Sequence, residues 1–375
     1  MFIINNCLTI DIERTEKMSN KEHAQPGFYQ EPKRPFPYHE EEVSYKNEAA
    51  GVTLSGTLTM PNQNGSFPVV ILIAGYGPND RDYSMMGHKR FMVLADHLTH
   101  NGLAVLRFDK RGAGKSTGDY ATATSRDFAD DVQACIKYLK TRKKIDCNKI
   151  GLIGHSEGGM IATMVAAESK DVAFLVLLAG QIVQSNINDL VLQTAKQLKA
   201  DGASDELIKL DHKLRTKIFE TATEEANIET AKNKLQELMH DYWNQLPELL
   251  KSESNKIPFA ITESKIDIMA NIFNSAWYRY FLNCKPVELL KQIKLPILTI
   301  YGNKDWIISS HPSLEIISDA LKIAGNPDYA TVELPNLNHS FQTCKTGALA
   351  EYSTIEETIS PIALKTISDW IVKRT

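Results

Sequence analysis

Long apolar runs, clustered cysteines and an excess of one charge are the three things this 375-residue sequence lacks. No apolar run reaches the roughly 18 residues that a membrane-spanning helix needs, so no membrane partner is expected. The five cysteines, Cys7, Cys135, Cys147, Cys284 and Cys344, are odd in number, widely scattered and contain no C-x-x-C pair. They support neither a disulfide framework nor a cysteine-based metal site, and fit reduced, packed thiols in a cytoplasmic enzyme. A net charge of −4 with both signs well mixed offers nothing to a polyanion, so nucleic acid is not an expected partner. Gly112, Gly114 and Lys115 resemble a phosphate loop superficially but lack the G-x-x-x-x-G-K-[ST] spacing, which rejects nucleotide binding there. No cofactor and no metal is expected. Met1 to Ile10 is apolar but short, carries Asn5 and Asn6, and has no basic residue ahead of it. It reads as an extension rather than a leader; a leader missed here would make the protein exported, and Met18 offers a second start.

What the chain does have is 43% hydrophobic residues and a marked change of texture along its length. Residues 19–40 are polar and carry Pro26, Pro32, Pro35 and Pro37, and 1–40 reads as an N-terminal extension. Glu42 to Asn47 and Thr53 to Met60 alternate as an antiparallel edge does. Four runs then stay apolar at nearly every position: 69–74, 103–108, 150–154 and 174–179. Such runs are buried on both faces, as central parallel strands are. Phe128, Val132, Cys135, Ile136 and Leu139 share one face of a helix over Ser125 to Leu139. Strand alternating with helix implies an α/β fold with a doubly wound, mostly parallel sheet.

That alternation stops near Gln181, and 181–285 is charged and helical in pattern, with Leu207, Leu210, Leu214 and Ile218 in one stripe and Ile228, Leu235 and Leu238 in another. It resumes at 295–300 and 329–334, with a last helix over 355–372. The expected organisation is a core domain of 41–180 and 286–375 interrupted by a helical lid or cap at 181–285.

Gly154-His155-Ser156-Glu157-Gly158 follows one apolar strand directly and opens a helix of small residues. Gly-x-Ser-x-Gly alone is a common pattern; this position makes it the strand-to-helix elbow that exposes a nucleophilic Ser156 in a strained turn. Serine needs a base, itself oriented by a carboxylate. In proteins built on this elbow the order along the chain is Ser, then Asp or Glu, then His. Asp305 lies just after the strand ending at Ile300 and His339 just after the strand ending near Leu334, so these two are the expected orienter and base. His155 reads as a packing residue, and His311, Asp328 and Glu333 lack a matching strand exit. Backbone N–H groups of Glu157 and of Tyr76, in the glycine-rich loop Ala74-Gly75-Tyr76-Gly77-Pro78, are the expected oxyanion donors.

With these residues in view, the chain resembles the α/β-hydrolase serine esterases, carboxylesterase or serine aminopeptidase-like (S33 type). The resemblance rests on Gly75-Tyr76-Gly77-Pro78-Asn79-Asp80-Arg81-Asp82, on Arg107 to Gly118, on Asp127 to Asp131, on Gly154 to Gly159, on Trp277 to Leu282 and on Asn338-His339-Ser340-Phe341. It covers nearly everything from about Pro35 onward. It implies an α/β-hydrolase fold and hydrolysis of small, short-acyl carboxylic esters without a cofactor; the sequence leaves monomer and homodimer both open. A peptidase or amidase of the same fold is the alternative, with Glu157 or Asp82 capturing a substrate amine; an acyltransferase or a catalytically dead binding module stands further back. Tyr76 departs from the small residue or Ser common at its position, and either narrows the loop or adds an aromatic wall. Asp80-Arg81-Asp82 could bind a polar substrate group or brace the loop by salt bridges. Trp277, Tyr280 and Phe281, with Trp243, either line an acyl pocket or form the lid's own core.

Overall fold

The computed structural model describes residues 30–183, 187–225, 227–257 and 260–375. Of the extension read over 1–40, residues 1–29 lie outside the described residues, and so does the choice between Met1 and Met18. The chain forms two compact units, an α/β unit of residues 30–183 and 285–375 and a helical unit of residues 187–284.

The α/β unit begins with an antiparallel hairpin, β1 (His39–Asn47) and β2 (Val52–Met60), in which Val43, Tyr45 and Asn47 alternate inward along β1. Next come β3 (Phe67–Ile73), a two-residue hairpin of β4 (Ser84–Met85) and β5 (His88–Lys89), α1 (Arg90–His100) and β6 (Ala104–Phe108). α2 (Ser125–Leu139) starts on a capping box, Thr124 accepting from the Asp127 N–H while the Asp127 carboxylate reaches back to the Thr124 N–H. β7 (Ile145–His155), α3 (Glu157–Glu168) and β8 (Phe174–Leu178) complete this stretch.

The helical unit then supplies α4 (Ile187–Ala200), α5 (Asp205–Glu224), α6 (Ile228–Gln245), α7 (Glu248–Ser254), α8 (Ile266–Phe273) and α9 (Ala276–Asn283). Leu207, Leu214 and Ile218 form the buried stripe of α5. On α6 the buried stripe is Ala231, Leu235, Met239 and Trp243, every fourth residue, whereas Ile228 is exposed. The expected Ile228–Leu238 stripe is therefore displaced: Ile228 sits in the first turn, and the face that turns inward is set by Met239 and Trp243 further along. Phe273 meets Phe219 and Tyr278, with ring centroids 6.5 and 5.5 Å apart. Among the described residues, no helix is long and apolar enough to cross a membrane.

Back in the α/β unit follow α10 (Pro286–Leu290), β9 (Ile297–Gly302), α11 (Ser310–Ala324), β10 (Tyr329–Leu334), α12 (Leu349–Tyr352) and α13 (Pro361–Val372). The last helix begins later than the sequence pattern suggests. Pro361 occupies its first turn, and proline disfavours helix in the residue before it, so Ser360 becomes the cap. The eight-stranded sheet runs β1-β2-β6-β3-β7-β8-β9-β10. β1, β2 and β6 pair antiparallel, and every pair from β6 to β10 is parallel. Strands β6, β8 and β9 are buried at every position, which is why their sequences carry no alternation. β7 lies mid-sheet between β3 and β8, so its C-terminal end opens where neighbouring loops converge.

Candidate active site

Ser156 links β7 to α3 with φ 57° and ψ −123°, a left-handed conformation that a side chain ordinarily avoids. The surrounding contacts hold it there: its N–H donates to the Leu178 carbonyl, and its own carbonyl accepts from the Gly159 and Gln181 N–H groups. The turn is tight enough that a Cβ on Gly154 would lie 2.1 Å from the Gly158 oxygen, and one on Gly158 would lie 2.0 Å from the Ile73 oxygen. Both glycines of the motif are thus required by close backbone approach. Ser156 is buried, and among the described residues its Oγ has no hydrogen-bond partner. Gln181, which ties back to Ser156, follows β8 directly, and the Tyr301 hydroxyl of β9 donates to the adjacent Gly180 carbonyl.

His339 and Asp305 come together from two strand exits. His339 Nδ1 is 2.7 Å from Asp305 Oδ2, and both side chains are buried. The other Asp305 oxygen accepts from the Ile307 and Ile308 N–H groups at 2.8 and 2.9 Å. The carboxylate is therefore locked in place, and it selects the tautomer with the proton on Nδ1, leaving Nε2 as a base. Asn338 shapes the loop, its Oδ1 accepting from the Ser340 and Gln342 N–H groups at 3.0 Å.

His155 holds the same loop from the Ser156 side. Its Nε2 lies 2.8 Å from the His339 carbonyl, so Nε2 carries the proton, and its Nδ1 lies 3.2 Å from the Tyr83 hydroxyl. The Tyr352 hydroxyl accepts from the His339 N–H on the other side. Burial, reinforced by the nearby His339 and Arg90, pushes the His155 pKa well below the ordinary histidine range and keeps the ring neutral. Read from sequence as a packing residue, His155 also fixes the position of His339. Its place next to Ser156 was the only signal, because the contact depends on where a loop 184 residues away comes to rest.

The loop after β3 packs directly on the elbow: a Cβ on Gly75 would lie 3.0 Å from Ser156 Cβ and 2.5 Å from the Tyr83 hydroxyl. Asn79 Nδ2 donates to the carbonyls of Gly75, Tyr76 and Gly77 at 2.9, 2.9 and 3.0 Å. The Gly77 N–H donates to the Tyr120 hydroxyl, whose ring meets that of Tyr76 at 6.3 Å. Glu157 opens α3, so its N–H is among the first-turn donors of that helix.

All three charges of Asp80-Arg81-Asp82 are engaged in bracing. Arg81 binds Asp109, Glu42, Thr57 and Ser55; Asp82 pairs with Arg107; Asp80 accepts from the Ser84 N–H. Burial alone would raise the Asp109 carboxyl, but its hydrogen bonds from Arg81 and Lys115 outweigh that and hold it below the usual carboxylate range. Glu157 is fully buried, its carboxylate accepting from Ser125 Oγ at 2.7 Å and from Lys110 Nζ at 3.2 Å. The rejected alternatives lie elsewhere: Asp328 pairs with Arg374, Glu333 accepts from Ser310, and the nearest carboxylate to His311 is Glu315. In the helical unit, Trp277 stacks on Phe281 with ring centroids 5.2 Å apart, both buried, while Tyr280 is half-buried. Among the described residues, no group of three or more His, Cys, Asp or Glu side chains gathers as a metal site.

The serine aminopeptidase S33 family matches residues 85–245, a span that includes Ser156 and Glu157 but stops short of Asp305 and His339. Esterase EstD of Thermotoga maritima is 34% identical over 117 residues, 31% of this chain and 28% of that protein. The chain spans less than half the length of the curated relatives it matches. Among solved structures, the α/β hydrolase GrgF from Penicillium superposes over 90% of this chain and 99% of its own at 17% identity and a TM-score of 0.51. Est1E from Butyrivibrio proteoclasticus, solved with ferulic acid, covers 88% of this chain and 98% of its own at 15% identity and a TM-score of 0.51. By its sheet order and its likeness to these solved structures, the chain has the α/β-hydrolase fold.

Proposed function

We propose that this chain is a serine hydrolase of small, short-acyl carboxylic esters, working through a Ser156–His339–Asp305 triad and an acyl-enzyme. The observation that carries the reading is the buried 2.7 Å His339–Asp305 contact, whose loop His155 bonds to the end of the nucleophile strand. His339 Nε2 accepts the Ser156 proton as Oγ attacks the ester carbonyl. The Tyr76 and Glu157 N–H groups receive the oxyanion, His339 returns the proton to the departing alcohol, and water repeats the sequence on the acyl-enzyme. The esterase name of the Thermotoga relative supports an ester as substrate. An amidase reading needs an acidic group for a substrate amine, and the two candidates work against it: Glu157 is paired with Lys110 and Asp82 with Arg107.

We propose that the helical insertion read at 181–285, of which residues 187–284 form the helical unit, acts as a lid that selects acyl and alcohol groups, with Trp277, Tyr280 and Phe281 lining the acyl side. Support comes from connectivity, since the insertion leaves the sheet at the end of β8, the strand beside the nucleophile, and returns ahead of β9. A reducing, cytoplasmic setting fits the buried thiols of Cys135 and Cys344, both pushed above their ordinary range by burial, Cys344 to about 11.

The test is intact-mass detection of a fluorophosphonate adduct, expected on the native chain and absent in Ser156→Ala, alongside acyl nitrophenyl esters and aminoacyl nitroanilides. Faster nitroanilide turnover would overturn the ester reading, and no adduct would overturn the nucleophile.

A further inference from the structure

Lys110 occupies a place that the triad does not account for. Its side chain is buried, with Nζ 4.3 Å above the Phe128 ring centroid. Nζ donates to the Gly75 carbonyl at 2.6 Å and pairs with Glu157 Oε2 at 3.2 Å. The Lys110 N–H meanwhile donates to the Asn79 carbonyl at 3.1 Å, which zips the two loops together. Burying an ammonium is costly unless acceptors surround it, so this position has to repay its desolvation in some specific way.

The acceptor is the informative part. The Gly75 carbonyl and the Tyr76 N–H belong to one planar trans peptide, and so point in opposite directions. A cation and the Asn79 amide both bonded to that carbonyl hold the plane, direct the Tyr76 N–H the other way, and polarise the group so that its hydrogen becomes a stronger donor. Lys110 also clamps the side chain of Glu157, the residue that carries the second proposed donor. One ammonium thus ties both donor-bearing segments together.

We infer that Lys110 is a positioning residue for oxyanion stabilisation, orienting and strengthening the Tyr76 N–H through the Gly75 carbonyl while anchoring Glu157. The inference rests on the proposed esterase reading and sharpens its oxyanion step. Loss of an interaction felt only when negative charge develops lowers kcat and leaves KM nearly unchanged.

The experiment compares the native chain with Lys110→Met, Lys110→Arg and Asn79→Ala. For each it measures kcat and KM on nitrophenyl acetate and Ki for an alkyl trifluoromethyl ketone, which adds to serine as a hemiketal oxyanion. Deleting an oxyanion donor outright costs about 10²–10³ in rate, so weakening one through Lys110→Met is expected to lower kcat by about 10–100-fold. KM should stay within about twofold and Ki should weaken by the same factor as kcat/KM. Lys110→Arg keeps the cation and is expected to recover part of the loss, with Asn79→Ala giving a smaller loss on the same line. An unchanged kcat in Lys110→Met, or a loss of activity without a matching loss of ketone affinity, overturns the role. If Lys110→Met does not fold, the other two variants decide by the same correlation of Ki with kcat/KM. A native chain that takes no fluorophosphonate at Ser156 overturns the esterase reading itself, and the Lys110 role with it. A labelled, active native chain with an indifferent Lys110 overturns the Lys110 role alone.

Discussion

In the α/β unit, buried Lys110 and Arg111 find their carboxylates 47 and 20 residues away along the chain, at Glu157 and Asp131. In the helical unit, buried Arg215 meets Asp211 four residues back on the same helix. Bonds of the first kind fix loops to strands and to one another, so they set distances within the candidate site. A bond of the second kind supports its own helix and constrains little beyond it. Uncharged contacts reach far along the chain in both units: His155 to His339 and Tyr301 to Gly180 in the α/β unit, Phe219 to Phe273 and the Asn274 amide to the Ile228 carbonyl in the helical unit. The difference lies in the buried ion pairs, which tie separate loops and strands in the α/β unit and successive turns of one helix at Arg215.

The contrast can be tested from its strongest consequence downward. Ser156→Ala is expected to lower kcat by about 10⁶-fold and Asp305→Asn, which loses the tautomer-selecting carboxylate, by about 10⁴-fold, both read by ester kinetics. Arg111→Met leaves the Asp131 carboxylate buried without its cation, and should cost about 3–5 kcal/mol in denaturant unfolding. Trp277→Ala should cost about 3 kcal/mol of local stability and leave turnover of an acetyl ester intact. A change in the acyl-length cut-off would mark the pocket role of Trp277, and loss of acetyl turnover would break the division of labour between the units.

The smallest effect is on the pH dependence of stability. Burial lowers the pKa of His155, as it does those of His88 and His97, all in the α/β unit. Below the ordinary value of about 6.5 the unfolded chain takes up protons at these positions more readily than the fold does. The stability they contribute is thus complete above that pH and declines as pH falls below it. His155→Asn should remove about 1.4 kcal/mol per pH unit from that decline, measured by unfolding between pH 6.5 and 5. An unchanged slope would mean that His155 is not held neutral.

Much of the α/β unit could be read from sequence because burial on both faces leaves an unbroken apolar run, as in β6, β8 and β9, and because Gly154 and Gly158 are imposed by local backbone approach. Asp305 and His339 were found by their places at strand exits, and the structure brings them into contact. From sequence, Asp109-Lys110-Arg111-Gly112 reads as a segment that organises the loops around Ser156 and His155 as a packing residue, but the carbonyl that Lys110 or His155 reaches lies in a distant loop, and no spacing rule encodes which loop arrives. Arg81 is a similar case: sequence left substrate binding and bracing open, and only its bonds to Asp109, Glu42, Thr57 and Ser55 resolve its structural part. Ile228 misled because hydrophobicity reports period better than phase in the first turn of a helix.

The Gln181 N–H bonded to the Ser156 carbonyl, with Tyr301 bonded to Gly180, closes the sheet around the nucleophile before the helical insertion begins. In evolutionary terms this is a graft junction. Residues 187–284 can be lengthened, shortened or exchanged for another module while the stem keeps its own hydrogen bonds. On the proposed lid reading, new selectivity could be sampled there without rebuilding the Ser156 turn.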